Sequence, residues 1–212
     1  MMSKWDSWIG REELREDRVD PGHAARWLTT LDRAAPADGT MPQGFYWCLG
    51  RPDAASARLD PDGHPQRDDS PASFLPPPRA ATSPEWASSK VAFHAPLAIG
   101  EAVSRVSRVA SITTKQGGSG HLVFIDVEHE TSGAGGLAVR EVQSILYRKP
   151  APAGSAPAPL GEGAFDAAPW TVERMIVPAE PLHLVMRDAG EAIALAAYAA
   201  DGRLVMSASA AA

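Results

Sequence analysis

The spacing of apolar residues predicts one helix near the start of the chain. Asp20 and Pro21 supply a capping side chain and a residue that suits the first helical turn. The apolar residues that follow recur at helical spacing and would form one face: Ala24, Trp27, Leu28 and Leu31. The pattern predicts a helix that begins at Asp20 and ends near Asp32 or Arg33.

Alternating apolar and polar residues between Lys90 and Arg148 predict an antiparallel sheet. Glu101–Lys115 carries β-branched residues at every third position, which favours a long bent strand with a bulge. His121–Glu130 and Leu137–Arg148 alternate more regularly, and the glycine-rich Ser132–Gly136 between them predicts a hairpin loop. One helix followed by these strands favours an α+β fold with a strongly curved sheet.

Turn-forming residues dominate the chain from Pro36 to Pro84 and predict a long loop, a feature that often carries function. Phe45–Leu49 is the apolar island within it. Trp47 and Trp86 flank the loop. Their positions leave two interpretations open, because large aromatic side chains line acyl pockets as readily as they close a core.

Composition divides the chain and predicts its domains. Pro, Ala and Gly dominate residues 149–164, which predicts a linker without a packed core. We therefore expect an N-terminal domain of residues 1–148 and a second part of residues 165–212. The second part has no helix signal but contains four strand-like segments: Trp170–Val177, Leu182–Arg187, Ala192–Tyr198 and Leu204–Ser209.

Charge and cysteine content exclude several classes of function. The 212 residues carry a net charge of −6 and no Lys/Arg-rich run, which argues against nucleic-acid binding. Cys48 is the single cysteine, so an intrachain disulfide and a cysteine-based zinc cluster are excluded. The longest apolar run, Ala192–Ala200, is too short for a membrane span, and no signal peptide is visible. We expect a soluble cytoplasmic protein without a metal or cofactor.

Few residues have the spacing of a catalytic centre. His121 and His129 share a strand face but lie about 26 Å apart at strand rise, so they cannot bind one metal ion. We expect both to be ordinary, partly exposed strand histidines. His64 lies on a turn within the long loop, where a functional role and a plain turn both stay open. The acidic residues on the other strand face favour a solvated edge over an acid–base pair: Asp126, Glu128 and Glu130.

Several strings along the chain occur in a characteristic order. The two most distinctive are KQGGSGHLVFI at Lys115–Ile125 and EVQSILYR at Glu141–Arg148. Others precede them: Trp8–Glu13, Pro42–Pro52, Asp62–Pro65, Phe74–Pro78 and Phe93–Glu101. Together they resemble the N-terminal half of the MaoC-like acyl-thioester dehydratases and hydratases that contain two fused hot-dog domains. That family includes mesaconyl-CoA and itaconyl-CoA hydratases and the mitochondrial-type 3-hydroxyacyl-thioester dehydratase.

The resemblance implies a fold and a reaction. A hot-dog fold is a curved antiparallel sheet around one helix, here the sheet Lys90–Arg148 around the helix Asp20–Asp32. A reduced second hot-dog, made mainly of strands, would follow the linker. The family implies reversible hydration of a 2-enoyl thioester, with acyl-CoA or an acyl-carrier thioester as ligand and without a cofactor. Hot-dog domains usually pair, so we expect a homodimer or a partner subunit.

The second part departs from the family pattern. The family places an Asn or Asp, followed by a His, at the start of a second central helix. This chain contains no Asn, and the one histidine of its second part, His183, lies in a strand-like segment. A segment near Val177–Pro181, where that helix would be expected, is missing from the pattern. We therefore transfer no catalytic residue from the family.

The departure leaves several functions open. The chain is a hydratase or dehydratase that uses other residues, or a non-catalytic acyl-CoA-binding or partner subunit. The other catalytic candidates are Asp62, His64, His94 and Lys115. The candidate substrate-binding residues are Trp47, His64, Trp86, Lys115 and Ser119. CoA phosphates usually recruit basic side chains, and the candidates here are Arg79, Arg105, Arg108 and Arg148.

Overall fold

An antiparallel sheet faced by one helix is the main feature of the computed structural model. It describes residues 5–60, 63–76, 83–117, 120–148, 183–188, 192–199, 202 and 204–211. The chain forms two units, one within the first 151 residues and one in the remainder. The described elements of the first unit are β1 Glu12–Arg18, α1 Pro21–Thr30, β2 Ser83–Phe93, β3 Ala102–Gly117, β4 Gly120–Gly133 and β5 Gly136–Arg148.

The sheet of the first unit has five strands in the order β1-β3-β4-β5-β2, and each neighbouring pair is antiparallel. The register between β3 and β4 shifts between Val109 and Ser111, which confirms the predicted bulge in a long bent strand. Long β3, β4 and β5 form the centre of the sheet, so their side chains determine what its two faces carry.

Helix α1 forms where the capping signal predicts it. The Asp20 side chain accepts a hydrogen bond of 2.8 Å from the His23 amide, and Pro21 occupies the first turn. The helix ends at Thr30 and is capped by Leu31, slightly earlier than predicted. Its buried residues pack against one face of the sheet, called here the inner face: Ala24 and Leu28, with Val103 and Val139 of the sheet.

Two strands differ from the sequence predictions. Strand β1 was not predicted, because its charged sequence EELREDR lacks apolar alternation; it lies at an edge of the sheet, where charged side chains discourage unwanted pairing. Strand β2 begins at Ser83 and not near Lys90, because its pairing with β5 continues as far as Arg148. The predicted hairpin loop is also shorter, since β4 continues to Gly133 and β5 begins at Gly136.

The second unit contains a three-stranded sheet in the order β6-β7-β8. Its strands are β6 His183–Asp188, β7 Ala192–Tyr198 and β8 Leu204–Ala211, close to three of the four predicted segments. Gly202 has a φ of 81° in the turn before β8, as the predicted hairpin requires. The predicted strand Trp170–Val177 and the segment 177–181 lie outside the described residues, as does the predicted linker.

Gly133 tests how tightly the β4–β5 hairpin packs. A Cβ atom at Gly133 would lie 2.5 Å from Glu101 Oε1 and 2.9 Å from Leu97 Cδ2. The Glu101 carboxylate also accepts hydrogen bonds from the Ala98 and Ala134 amides at 3.0 and 3.3 Å, so it is not free to move. We expect Gly133→Ala to lower the free energy of unfolding by about 1–3 kcal/mol, measured by urea denaturation. Gly135→Ala is the control, because no atom lies within 4 Å of a Cβ there; equal losses in both variants would contradict the prediction.

Candidate functional site

The inner face of the five-stranded sheet carries two apolar clusters. The first, the α1 cluster, contains Val19, Ala24, Leu28, Met41, Phe45, Tyr46, Leu49, Leu97, Val103, Ala138 and Val139. The second, the tryptophan cluster, contains Trp5, Trp8, Val109, Val123, Ile125, Val127 and Tyr147. Between them runs a set of polar side chains, called here the polar band: Glu13, Arg15, Arg105, Ser107, His129 and Glu141.

The strand register explains why the polar band is continuous. Glu13 is paired with Ser107, Ser107 with His129, and His129 with Glu141. Directly paired residues of antiparallel strands point to the same face, so four neighbouring strands contribute one polar residue each to a single row. A polar row across a largely apolar face is unusual for a core, because buried polar groups need partners.

Glu141 is the most buried charged residue of the row, with 4% of its surface exposed. The Tyr46 hydroxyl and the Trp47 indole N–H each donate to Oε2 at 3.1 Å, and the Ser89 hydroxyl donates to Oε1. Burial raises the pKa of Tyr46, and the negative charge of Glu141 raises it further, so the phenol stays a donor. The carboxylate therefore fixes the 3₁₀ turn Phe45–Cys48 to the sheet.

Trp47 and Trp86, the two predicted substrate-binding tryptophans, are both joined to Glu141. Trp47 donates to it directly, and the Trp86 indole donates at 3.0 Å to the Ser89 hydroxyl that in turn donates to Glu141. Their side chains nevertheless remain 50% and 54% exposed. Large exposed aromatic groups beside a few oriented polar groups are typical of ligand sites.

His129 occupies the middle of the row. Its Nδ1 lies 2.8 Å from the Ser107 hydroxyl and its Nε2 lies 3.4 Å from the Gln143 side-chain oxygen. Burial lowers the pKa of His129, and the positive charge of Arg105 lowers it further, against the opposing charge of Glu141. The imidazole is therefore neutral at pH 7. The expectation of an ordinary strand histidine missed this network.

Arg105 adjoins the row from strand β3. Its guanidinium donates to the Leu49 and Gly50 carbonyls at 3.2 and 2.7 Å, while its Nε is buried without an acceptor. Gly50 has a φ of 58°, and a Cβ there would lie 3.3 Å from Arg105 Cζ. Glycine at this position thus permits both the turn and the close approach of the guanidinium.

The structure does not bring the other predicted binding residues to this site. Lys115 is exposed near the end of β3, where it pairs with Leu122, and its ammonium lies 5.2 Å from the Phe124 ring on the opposite face. His64 lies in a turn of the long loop, where its carbonyl accepts a hydrogen bond from the Asp60 amide. Ser119 lies outside the described residues.

Sequence reasoning missed Glu141 as a site residue, although a signal for it exists. Glu141 is in phase with the buried Val139 and Tyr147 on β5, so strict alternation places a carboxylate on the inner face. In the described part of the chain, no group of three or more His, Cys, Asp or Glu side chains could hold a metal ion. No helix among the same residues is long and apolar enough to cross a membrane.

Removing the Glu141 carboxylate should destabilise the first unit. Glu141→Ala leaves the Tyr46, Trp47 and Ser89 donors without their acceptor, which costs about 2–4 kcal/mol of the free energy of unfolding. Urea denaturation measures this loss. The control is Glu130→Ala, which breaks an exposed ion pair with Arg140 and should cost less than about 1 kcal/mol. A loss for Glu141→Ala no greater than the control would show that the network contributes little.

The half-buried His129 should make stability depend on pH. Its pKa is lower in the folded than in the unfolded chain, so the unfolded chain binds the proton more readily. The contribution of His129 to the free energy of unfolding is therefore fully present above the histidine pKa of the unfolded chain, about 6.5. This contribution is lost as the pH falls from there to the lower pKa of the folded chain. We expect His129→Gln to flatten this part of the profile of unfolding free energy against pH. His121→Gln, at an exposed position, should leave the profile unchanged; equal profiles for wild type and His129→Gln would contradict the assignment.

Comparison of the sequence with known proteins shows the family of this chain. A profile of the family described as hydroxyacyl-thioester dehydratase type 2 matches residues 44–181. A mesaconyl-C(4)-CoA hydratase from Chloroflexus aurantiacus is 35% identical over 162 residues, which cover 74% of this chain and 55% of that protein. The chain thus spans about half the length of this curated relative.

Solved structures share the fold at low sequence identity. HtdX from Mycobacterium tuberculosis superposes with a TM-score of 0.61 at 12% identity, covering 94% of this chain and 98% of that one. A MaoC-like dehydratase from Phytophthora capsici gives a TM-score of 0.58 at 10% identity, with 96% of each chain covered. The predicted hot-dog fold and the predicted MaoC-like resemblance are both confirmed. The chain belongs to the hydroxyacyl-thioester dehydratase type 2 family.

Proposed function

We propose that this chain binds a 2-enoyl or 3-hydroxyacyl thioester at the inner face of its five-stranded sheet and takes part in the reversible hydration of the enoyl form. One observation carries the proposal: in a chain of this family, two exposed indoles flank a buried, hydrogen-bonded carboxylate between two apolar clusters. The apolar clusters suit an acyl chain, and the polar band suits the thioester and the groups near it.

The reaction makes demands that the polar band meets only in part. Hydration of an enoyl thioester needs a group that moves a proton at the α carbon and donors that stabilise an enolate oxygen. Glu141 already accepts three hydrogen bonds, so it orients Trp47 and the turn around it and is not a free base. We therefore assign binding and orientation to the band and no proton transfer to Glu141.

A second candidate function is binding of the thioester without turnover. It is favoured by His183, the one histidine of the second part, which begins strand β6 and pairs with Tyr198. A strand position does not match the helix start at which the family places its catalytic histidine. Under this alternative, the chain supplies an acyl-binding subunit to a partner that carries out the chemistry.

We propose a role for each of the three parts of the chain. Residues 1–148 bind the acyl group, 149–164 form the linker, and 165–212 form a reduced second hot-dog. We further propose that the protein acts in the cytoplasm, as a homodimer or with a partner subunit, on acyl-CoA or an acyl-carrier thioester.

A hydration assay tests the proposed function. Purified protein of confirmed intact mass is mixed with crotonyl-CoA or mesaconyl-CoA, and loss of the enoyl-thioester absorbance is followed. We expect turnover, and we expect Trp47→Ala to weaken thioester binding about tenfold, measured by calorimetry. Leu14→Ala is the control, because this exposed leucine pairs with Val106 on the outer face, away from the polar band.

The outcomes separate the two candidate functions. Turnover supports participation in hydration. Binding that weakens in Trp47→Ala, without turnover by the purified chain, supports the acyl-binding alternative. The absence of binding to both thioesters would overturn both.

A further inference from the structure

Arg105 differs from the other arginines whose contacts the structure describes in its buried Nε, which has no hydrogen-bond partner among the described residues. Arg11, Arg18 and Arg67 contact uncharged oxygens. Arg15, Arg140 and Arg148 each contact a carboxylate at hydrogen-bonding distance: Glu13, Glu130 and Glu85. Among the described residues, no ion pair joins Arg105 to a carboxylate, and its contacts are the Leu49 and Gly50 carbonyls. A half-buried guanidinium without an anionic partner is unfavourable, because desolvation of the charge is not compensated.

The hydrogen bonds of Arg105 are also incomplete. A guanidinium has five N–H donors. Two donate to backbone carbonyls, and the Nε–H is buried without an acceptor in the part of the chain that the structure describes. Native proteins rarely leave such a donor unsatisfied, and where they do, the exception often marks a functional position. Arg105 therefore has both the charge and the free donors to receive another group.

The register adds a second, independent unfavourable contact. Arg15 lies directly opposite Arg105 in the β1–β3 pair, on the same face of the sheet. Like charges directly opposite each other destabilise a sheet. Glu13 pairs with Arg15 through two hydrogen bonds of 2.8 and 2.9 Å, and this leaves Arg105 as the member of the pair without a direct ion-pair partner among the described residues. Burial lowers the pKa of Arg105, and the positive charges of Arg15 and Arg51 lower it further, against the opposing charges of Glu13 and Glu141.

The structure also separates Arg105 from the other basic residues that the sequence offered for phosphate binding. Arg108 is exposed and pairs with Glu128 on the outer face, Arg148 is held by Glu85, and Arg79 lies outside the described residues. Arg105 lies beside the Leu49–Gly50 segment, directly after the 3₁₀ turn that holds Trp47. An aromatic side chain and a cation without a direct ion-pair partner among the described residues thus lie on adjoining segments beside the polar band.

We propose that Arg105 binds an anionic group of the thioester ligand, either a carboxylate on the acyl chain or a phosphate of the CoA moiety. This inference rests on the proposed function, because it names the charged part of the ligand that the inner face would bind. The guanidinium fork suits either oxyanion, since both present two oxygens to parallel N–H donors. The anion would replace the carboxylate that Arg105 lacks.

Calorimetric measurement of the affinity for three ligands distinguishes the acyl carboxylate from the CoA phosphate as the anion that Arg105 binds. Mesaconyl-CoA carries an acyl carboxylate and the CoA phosphates, crotonyl-CoA carries the phosphates alone, and crotonyl-pantetheine carries neither. We expect Arg105→Gln to weaken mesaconyl-CoA binding at least tenfold. If the anion is the acyl carboxylate, crotonyl-CoA binding stays unchanged. If it is a phosphate, both CoA thioesters lose affinity and crotonyl-pantetheine does not.

Two controls keep the test decisive. Arg140→Gln removes an exposed arginine on the outer face and should bind all three ligands as the wild type does. Arg105→Lys keeps the charge without the fork and should show a smaller loss than Arg105→Gln. If Arg105→Gln does not fold, Arg105→Lys is measured against the same ligands, and succinate or inorganic phosphate is used to displace mesaconyl-CoA from the wild type.

Each result supports or overturns the inference. Unchanged affinities in the Arg105 variants, or an equal loss for all three ligands, would show that Arg105 only holds the Leu49–Gly50 segment. Failure of both anions to displace mesaconyl-CoA from the wild type would overturn it in the same way. If the wild type binds none of the thioesters, the proposed function itself fails, which is a different result from normal wild-type binding with no effect of Arg105.

Discussion

The first unit depends on satisfying one carboxylate inside its sheet. Glu141 is 4% exposed, and a charge at such a position is tolerated only when its oxygens are fully hydrogen-bonded. Its three donors come from the 3₁₀ turn Phe45–Cys48 and from β2. This requirement determines where the turn lies on the sheet and orients Trp47. Through Ser89, it also orients Trp86.

The same carboxylate lies between the α1 cluster and the tryptophan cluster, so a different segment of the chain packs on each of them. Helix α1 covers one cluster, and an N-terminal segment with Trp5 and Trp8 covers the other. Arg11 connects this N-terminal segment to the long loop, because its guanidinium lies 3.6 Å from the centre of the Trp8 ring and donates to the Ser70 and Ser73 carbonyls. An uninterrupted apolar face would pack more simply. The polar row at this place supports the proposed binding role of the face, since local rules are broken most often at functional sites.

Local signals predicted the parts of the fold that depend on near neighbours. The Asp20 cap fixed the start of α1, and spacing along β3 predicted its bulge. Strand β1 was missed because an edge strand with charged residues has no apolar alternation. The site was missed for a different reason: Tyr46 and Glu141 are separated by 95 residues, so no window of sequence contains both partners. The two tryptophans were predicted as candidates, but only the structure shows that Glu141 joins them.

The charged residues of the polar band differ in how they are paired, and under the proposed function this difference would limit the kind of ligand that fits. Uncharged donors hydrogen-bond the oxygens of Glu141, and Glu13 is paired with Arg15, whereas Arg105 contacts two backbone carbonyls. Gly50 shows that this contact is specific, because it adopts a φ of 58° and its amide donates to Asp17 at 2.6 Å. Under the proposed function, the apolar clusters would accept acyl chains of many lengths, since hydrophobic burial is non-directional. A guanidinium fork is directional, so under the same proposal the charge of the ligand, more than its length, would determine its position on this face.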